Sequence, residues 1–201
     1  FVSSYSPDLY SFDVPGGTSW NDVAIGNGIA VAVGQSLGPG SNCSCVTTGF
    51  GWVKPGGPGL NTLYDIDPSA AWSSIVYCST SAVFVATASN WGVTNSAYMP
   101  MSGPNMLSWQ FLPPTSMNPT RLATDGRYVY AVSNSNYGGP ATLDRLDTNN
   151  LGAGWNTDPT ITNYFQDITY SSNTNNFWLL TNDGFVQTGT IGNWSAPNSN
   201  L

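Results

Sequence analysis

The sequence predicts an all-β fold, a β-propeller of about four four-stranded blades, and three observations predict it. A hairpin unit recurs four times, a short aromatic run ending in Pro precedes each recurrence, and no stretch carries helical periodicity over a helix-length window. Apolar runs are short and alternate with period two, as half-buried strands do.

The clearest copy of the unit is Trp20-Asn21-Asp22-Val23-Ala24-Ile25-Gly26-Asn27-Gly28-Ile29-Ala30-Val31-Ala32-Val33-Gly34. The second is Trp72-Ser73-Ser74-Ile75-Val76-Tyr77 with Val83-Phe84-Val85-Ala86-Thr87. The third is Leu122-Ala123-Thr124-Asp125-Gly126-Arg127 with Tyr128-Val129-Tyr130-Ala131-Val132, and the fourth is Phe165-Gln166-Asp167-Ile168-Thr169-Tyr170 with Phe177-Trp178-Leu179-Leu180. Each reads as an inner strand, a tight turn and a second apolar strand. With Trp20, Trp72, Pro119 and Phe165 as anchors, the spacings are 52, 47 and 46 residues, within the range of a four-stranded propeller blade.

The runs before the anchors are Leu9–Pro15, Leu63–Pro68, Trp109–Pro114 and Trp155–Pro159. Pro cannot donate to a sheet ladder, so it suits the end of an outermost strand. The blade units are therefore about 20–68, 72–114, 119–159 and 165–201, in one domain spanning 1–201. Residues 1–15 are expected to complete the last blade and close the ring. Gly192-Asn193-Trp194-Ser195-Ala196-Pro197 also resembles an outermost strand; if it is one, the N-terminal strand pairs elsewhere, in a longer parent chain or a partner subunit.

Composition suits a solid β-protein outside the cell. Charged residues are 7% of the chain, against about 25% in an ordinary globular domain. With eight Trp, ten Tyr and eight Phe, low charge here means a packed core and not disorder. No apolar run is long enough for a membrane-spanning helix, so no membrane insertion is expected. The chain starts at Phe1 without a signal peptide, which reads as processing or excision.

The net charge is −7, with Lys54, Arg121, Arg127 and Arg145 the only cations. Nucleic acid needs clustered basic residues, so it is not an expected partner. Neither is an anionic membrane surface. A neutral partner, glycan or protein, is favoured.

There is no His and no Glu. A nucleophile activated by His is therefore absent, His-type zinc sites are absent, and three Cys cannot form a Cys₄ site. Two Asp can in principle serve a glycosidase. Most of these Asp, however, lie in turn settings such as Thr124-Asp125-Gly126 and Asn182-Asp183-Gly184, where Asp usually bonds its own backbone. No catalytic residue, metal or cofactor is assigned.

Cys43 or Cys45 is placed to bridge to Cys78 across neighbouring blades, against the alternative of three reduced thiols with Cys78 in the core. Asn42-Cys43-Ser44 and Asn193-Trp194-Ser195 match the glycosylation acceptor pattern. Asp144-Arg145-Leu146-Asp147-Thr148-Asn149-Asn150 crowds oxygen ligands but lacks the closing acid of a calcium loop. An Asx-turn is the expected reading.

Ser89-Asn90-Trp91-Gly92 and Ser135-Asn136-Tyr137-Gly138 stand 46 residues apart, in step with the anchors. They occupy the same loop of two blades. The connections that precede the anchors share that face and bring Asp13, Asp65, Asp67 and Asp158 to it. Trp91 and Tyr137 offer flat apolar surface for a sugar ring, while Asn90, Asn136 and the carboxylates bond its hydroxyls. The competing assignment packs these two aromatics between blades, the place given to Trp20, Trp72, Trp109, Trp155 and Phe165.

The Trp-x-x-Val-Ala-x-Gly-Asn-Gly-x-x-Val-Ala-Val-Gly pattern of residues 20–34 resembles the repeat of propeller-like modules in phage tail or virion proteins and bacterial surface proteins. The hairpin is also similar to sialidase-type blades, but the Asp-box is not intact: Ser102-Gly103-Pro104-Asn105-Met106-Leu107-Ser108-Trp109 keeps only its ends. The resemblance implies surface display and recognition. The expected function is an extracellular, non-enzymatic, lectin- or adhesin-like module binding glycan or a cell-surface receptor. The alternative is a structural subunit of a virion or surface filament that contacts copies of itself or other surface proteins. An Asp-dependent glycan-active enzyme stands third.

Overall fold

In the computed structural model, the described residues are 18–27, 29–36, 46–51, 62–64, 71–89, 96–103, 108–116, 118–133, 142–158, 165–181, 184–190 and 193–196. They form four antiparallel four-stranded sheets, each built from consecutive strands. Blade 1 is β1 (Thr18–Gly26), β2 (Ile29–Ser36), β3 (Val46–Gly51) and β4 (Thr62–Tyr64). Blade 2 is β5 (Trp72–Cys78), β6 (Val83–Ala88), β7 (Ser96–Pro100) and β8 (Gln110–Phe111). Blade 3 is β9 (Pro119–Thr124), β10 (Tyr128–Ser133), β11 (Leu143–Asp147) and β12 (Trp155–Asp158), with a 3₁₀ turn at Leu151–Ala153. Blade 4 is β13 (Phe165–Ser171), β14 (Asn176–Thr181), β15 (Val186–Thr190) and β16 (Asn193–Trp194).

The four anchors are structurally equivalent. Trp20 pairs with Gly34, Trp72 with Ala88, Pro119 with Ser133 and Phe165 with Thr181, and in every blade the register shifts immediately after the anchor. One residue drops out of the ladder each time: Asn21, Ser73, Thr120 or Gln166. A bulge twists its strand and re-aims the neighbouring side chains. Here it sits at the start of each inner strand.

The blades stack flank to flank. Ala24, Val31 and Val33 of blade 1 pack on Trp72, Ile75, Phe84 and Met99 of blade 2. Cys78, Val83 and Val85 of blade 2 pack with Leu122, Val129, Ala131 and Leu146 of blade 3. Ala123, Tyr130, Val132 and Leu143 of blade 3 pack on Phe165, Ile168, Phe177 and Leu179 of blade 4. Covered on both flanks, β6 is buried at all six positions. β14 instead alternates, with Phe177, Leu179 and Thr181 buried between less buried residues. Period-two burial in β14 records a flank with no neighbouring blade among the described residues.

Gly26 lets blades 1 and 2 approach. A Cβ there would lie 2.0 Å from Cγ of Tyr77, in steric overlap with the ring. At the same end, the Thr80 N–H donates to the carbonyl of Gly126 at 2.9 Å, tying the hairpin turns of blades 2 and 3. Gly126 has φ +98°, which glycine adopts without strain.

The last blade had two candidates in the sequence for its outermost strand, residues 9–15 and residues 192–197. Its outermost place is filled by β16, which pairs with β15 through Gly189–Trp194 and Thr190–Asn193. Residues 1–15 lie outside the described residues. The inner strands follow one another in the order β1, β5, β9, β13, and β13 and β1 share no comparable packing among the described residues.

Candidate functional site

All four inner strands begin at one end of the blade stack. The second strand of each blade ends there, and the third starts there. This end therefore carries Ser36, Ala88, Ser133 and Thr181, which end the second strands, and Val46, Ser96, Leu143 and Val186, which begin the third. It is the face the sequence assigns to ligand.

The bulge residues build the described part of this face. With one residue looped out, two consecutive side chains turn toward the next blade. Asn21 Nδ2 donates to the carbonyl of Trp72 at 2.7 Å, and Ser73 Oγ repeats the contact to the carbonyl of Pro119 at 2.8 Å. One position on, Asp22 Oδ2 accepts from Ser74 Oγ at 2.7 Å and from the Ile75 N–H at 2.9 Å. Ser74 Oγ in turn accepts the Leu122 N–H at 3.1 Å. A relay thus runs from Leu122 through Ser74 to Asp22, across three blades. In blade 3 the equivalent residue is Arg121, a donor only, and the acceptor role passes to Asp167 of blade 4: Arg121 Nε stands 4.0 Å from Asp167 Oδ1. Both side chains are more than half exposed, so this pair contributes little.

A second polar cluster fixes the link between blades 2 and 3. Buried Asp144 accepts the Ser116 N–H and Oγ, each at 2.8 Å, and Thr157 Oγ1 at 2.7 Å. Trp155 Nε1 donates to Ser96 Oγ at 3.0 Å, joining the outer strand of blade 3 to blade 2.

Of the residues assigned to ligand, Asn90, Trp91, Asn136, Tyr137, Asp65 and Asp67 lie outside the described residues, as does Asp13. Asp158 is described, and it is not a ligand group on an open loop. It ends β12, is buried, and accepts Trp194 Nε1 of blade 4 at 3.2 Å. Its role is to tie two outer strands, because the next blade covers it.

The cysteine bridge is also corrected. Cys78 is a free, fully buried thiol whose Sγ lies 3.4 Å from Thr124 Oγ1. It closes β5 at the hairpin end, whereas β2 and β3 border their connection at the opposite end. Cys43, Cys45 and Asn42 lie outside the described residues. Burial pushes the Cys78 thiol up to about 12, which makes it a poor nucleophile. Asn193 is exposed on β16.

The Asp in turns behave as their setting predicts. Asp125 Oδ1 accepts the N–H groups of Arg127 and Tyr128 at 2.9 and 2.7 Å. Asp147 accepts the Asn149 N–H at 3.0 Å and holds Arg127 at 2.7 Å, and the guanidinium draws its carboxyl below the ordinary carboxylate range. In the 144–150 segment Asp144 and Asp147 belong to β11 and the chain turns after Asp147, with both acids engaged by protein groups. Trp72 and Phe165 are fully buried and Trp109 and Trp155 partly buried in the inter-blade cores; the Trp20 side chain lies outside the described residues.

The bulge residues were not picked out from sequence. One signal was present: each anchor is followed by two polar residues, Asn-Asp, Ser-Ser, Thr-Arg and Gln-Asp.

Comparison with solved structures matches this geometry. The chain superposes on a structural genomics protein of unknown function from Bacteroides thetaiotaomicron VPI-5482 with a TM-score of 0.56 and 11% identity, covering 88% of this chain and 42% of that one. It superposes on YCF48, solved bound to D1 peptide, with a TM-score of 0.55 and 15% identity, covering 90% of this chain and 53% of that one.

The fold is a β-propeller. This chain spans about half the length of those two solved propeller-like chains. No family model matches the chain, and no curated protein does. At these identities the likeness concerns the fold alone.

Proposed function

We propose that this β-propeller is an extracellular recognition module that binds a neutral glycan or an uncharged patch of a cell-surface receptor, without catalysis. The reading is supported by a sequence spacing: Ser89-Asn90-Trp91-Gly92 and Ser135-Asn136-Tyr137-Gly138 stand 46 residues apart, each between the second and third strands of its blade. Aromatic faces with flanking amides suit a sugar ring, whose apolar face stacks while its hydroxyls bond. The resemblance of residues 20–34 to repeats of phage tail and bacterial surface proteins agrees with display outside a cell.

The lack of catalysis has its own support. There is no His or Glu, the Cys78 thiol is buried, and Asp22, Asp125, Asp144, Asp147 and Asp158 are engaged by protein donors. Nucleic acid does not fit a chain of net charge −7. A second reading, a structural subunit, is favoured by the exposed apolar side chains of Val23 and Ile25 on blade 1 and Leu180 on blade 4.

A glycan array tests the proposal. Binding to a restricted set of neutral glycans, lost in Trp91→Ala and Tyr137→Ala variants that melt like the parent, supports it. Binding that survives both substitutions overturns the site, and an array with no binding overturns the glycan class.

A further inference from the structure

We propose that the seam between blades 3 and 4 holds a second binding site near its hairpin end, for a sugar that carries a carboxylate, with Arg145 receiving the carboxylate. The site lies away from the end assigned to a neutral ligand, and the inference does not rest on that assignment.

The site follows from strand register. Arg145 on β11 stands directly opposite Tyr130 on β10 and Asn156 on β12, so the three side chains share one face of the sheet. Tyr130 packs on Phe177 of blade 4 with ring centroids 3.9 Å apart, and Tyr170 lies 4.9 Å from the same ring. That face therefore looks at blade 4. Tyr128, two residues nearer the hairpin turn, lies under the Arg145 guanidinium, whose Cζ is 5.0 Å from the ring centroid. The buried Tyr130 hydroxyl accepts a hydrogen bond from Arg145. Stacking and this bond hold a half-buried, planar cation in place.

What the cation lacks is an anion. Charges taken out of water are paired, and this chain has eleven Asp against four cations. Yet Arg145 forms no ion pair among the described residues. The two Asp nearest in sequence are committed elsewhere. Asp144 belongs to the opposite face, bonded to Ser116 and Thr157. Asp147 shares the face of Arg145 and feels its charge, but both its oxygens are held by Arg127, Nε at 3.1 Å and Nη2 at 2.7 Å. Donors of the Arg145 guanidinium are left over, and its fork fits a carboxylate bidentately.

The neighbours select the rest of the ligand. Tyr128 and Tyr170 are only partly buried and leave ring surface for the apolar face of a sugar. Exposed Asn156 supplies an amide for its hydroxyls. Recognition here is by side chains, because β11 is laddered on both sides and offers no open backbone. The net charge of −7 does not forbid an acidic ligand, since salt confines the repulsion of distant charges to about 8 Å at physiological ionic strength.

An NMR titration of the intact chain tests the proposal, with glucuronate, glucose and sulfate as probes. Glucuronate should shift the Arg145 side-chain signal saturably, and glucose should not. Arg145→Gln should weaken glucuronate binding by at least about tenfold. Arg145→Lys, which keeps the charge without the fork, should weaken it by less, and it carries the test if the Gln variant loses its far-ultraviolet β signal. Arg121→Gln, near the opposite end of blade 3, should bind as the parent does. No saturable shift with glucuronate overturns the proposal, and so does binding that is unchanged in both Arg145 variants. Glucose binding equal to glucuronate overturns the role of the carboxylate, and sulfate binding as tight as glucuronate overturns the sugar class.

Discussion

Asp22 Oδ2 accepts the backbone N–H of Ile75 at 2.9 Å, across the seam between blades 1 and 2. The contact exists because the bulge at Asn21 turns Asp22 away from its own sheet. Ile75 lies in a buried core, so its N–H loses water when the blades meet and needs an acceptor supplied by the neighbour. Hydrophobic flanks bring the blades together, and the bulge side chains set their register.

Removing either member of the relay should cost more than an exposed substitution. Asp22→Ala strands the Ile75 N–H, and Ser74→Ala strands the Leu122 N–H; each is expected to lose about 1–3 kcal/mol in urea unfolding. Asp22→Asn keeps an acceptor and should lose less. The double variant Asp22→Ala/Ser74→Ala should lose less than the sum of the two, because both residues belong to one network. Strict additivity would separate the two contacts.

Gly26→Ala should destabilise although it lies at a strand end. The new methyl would overlap the Tyr77 ring at 2.0 Å, and overpacking of this kind costs about 1–3 kcal/mol. Tyr77→Ala in the same chain should recover part of that loss in thermal melts. A Gly26→Ala variant that melts with the parent would mean that the blades are not in contact at this end.

Cys78 should resist a thiol reagent in the native state and react only as the chain unfolds. Its folded pKa is raised to about 12 from 9.0 by burial. The stabilisation linked to the protonated thiol is then fully present below about pH 9. It is lost as pH rises from there through about 12. The measurement is the denaturation midpoint against pH for the parent and for Cys78→Ala. The parent's alkaline loss should be the steeper of the two.

Trp194→Phe and Asp158→Ala test the reassignment of Asp158. Each removes one end of the 3.2 Å contact between the outer strands and should lower the melting temperature without altering ligand binding. A loss of binding at unchanged stability would return Asp158 to the ligand face.

The anchors were legible because a large apolar residue at a fixed period has one use in such a fold. Trp72 and Phe165 are fully buried, and even Pro119 falls in register. The bulge was not legible. Its looped-out residues, Asn21, Ser73, Thr120 and Gln166, share no residue type. Asn21 and Ser73 still make the same contact, because a carbonyl on the next blade asks only for a donor. The outermost strand of the last blade was ambiguous for a related reason. Residues 9–15 and 192–197 present the same aromatic run ending in Pro, and only pairing shows that Asn193 and Trp194 hold the outer place. Asp158 failed because its partner, Trp194, is remote in sequence and belongs to the next blade.

Native-state hydrogen exchange at four equivalent amides tests the central claim, that the blades are registered by side chains carried on the inner-strand bulges. The amides of Ile75 and Leu122 are bonded across a seam, whereas those of Val23 and Ile168 are bonded to their own neighbouring Asp. The account predicts that Ile75 and Leu122 exchange as slowly as the ladder amides of their strands. It also predicts that Asp22→Ala speeds exchange at Ile75, and Ser74→Ala at Leu122, by at least about tenfold, the equivalent of 1.4 kcal/mol. Fast exchange at both amides in the parent, or no change in either variant, would contradict it.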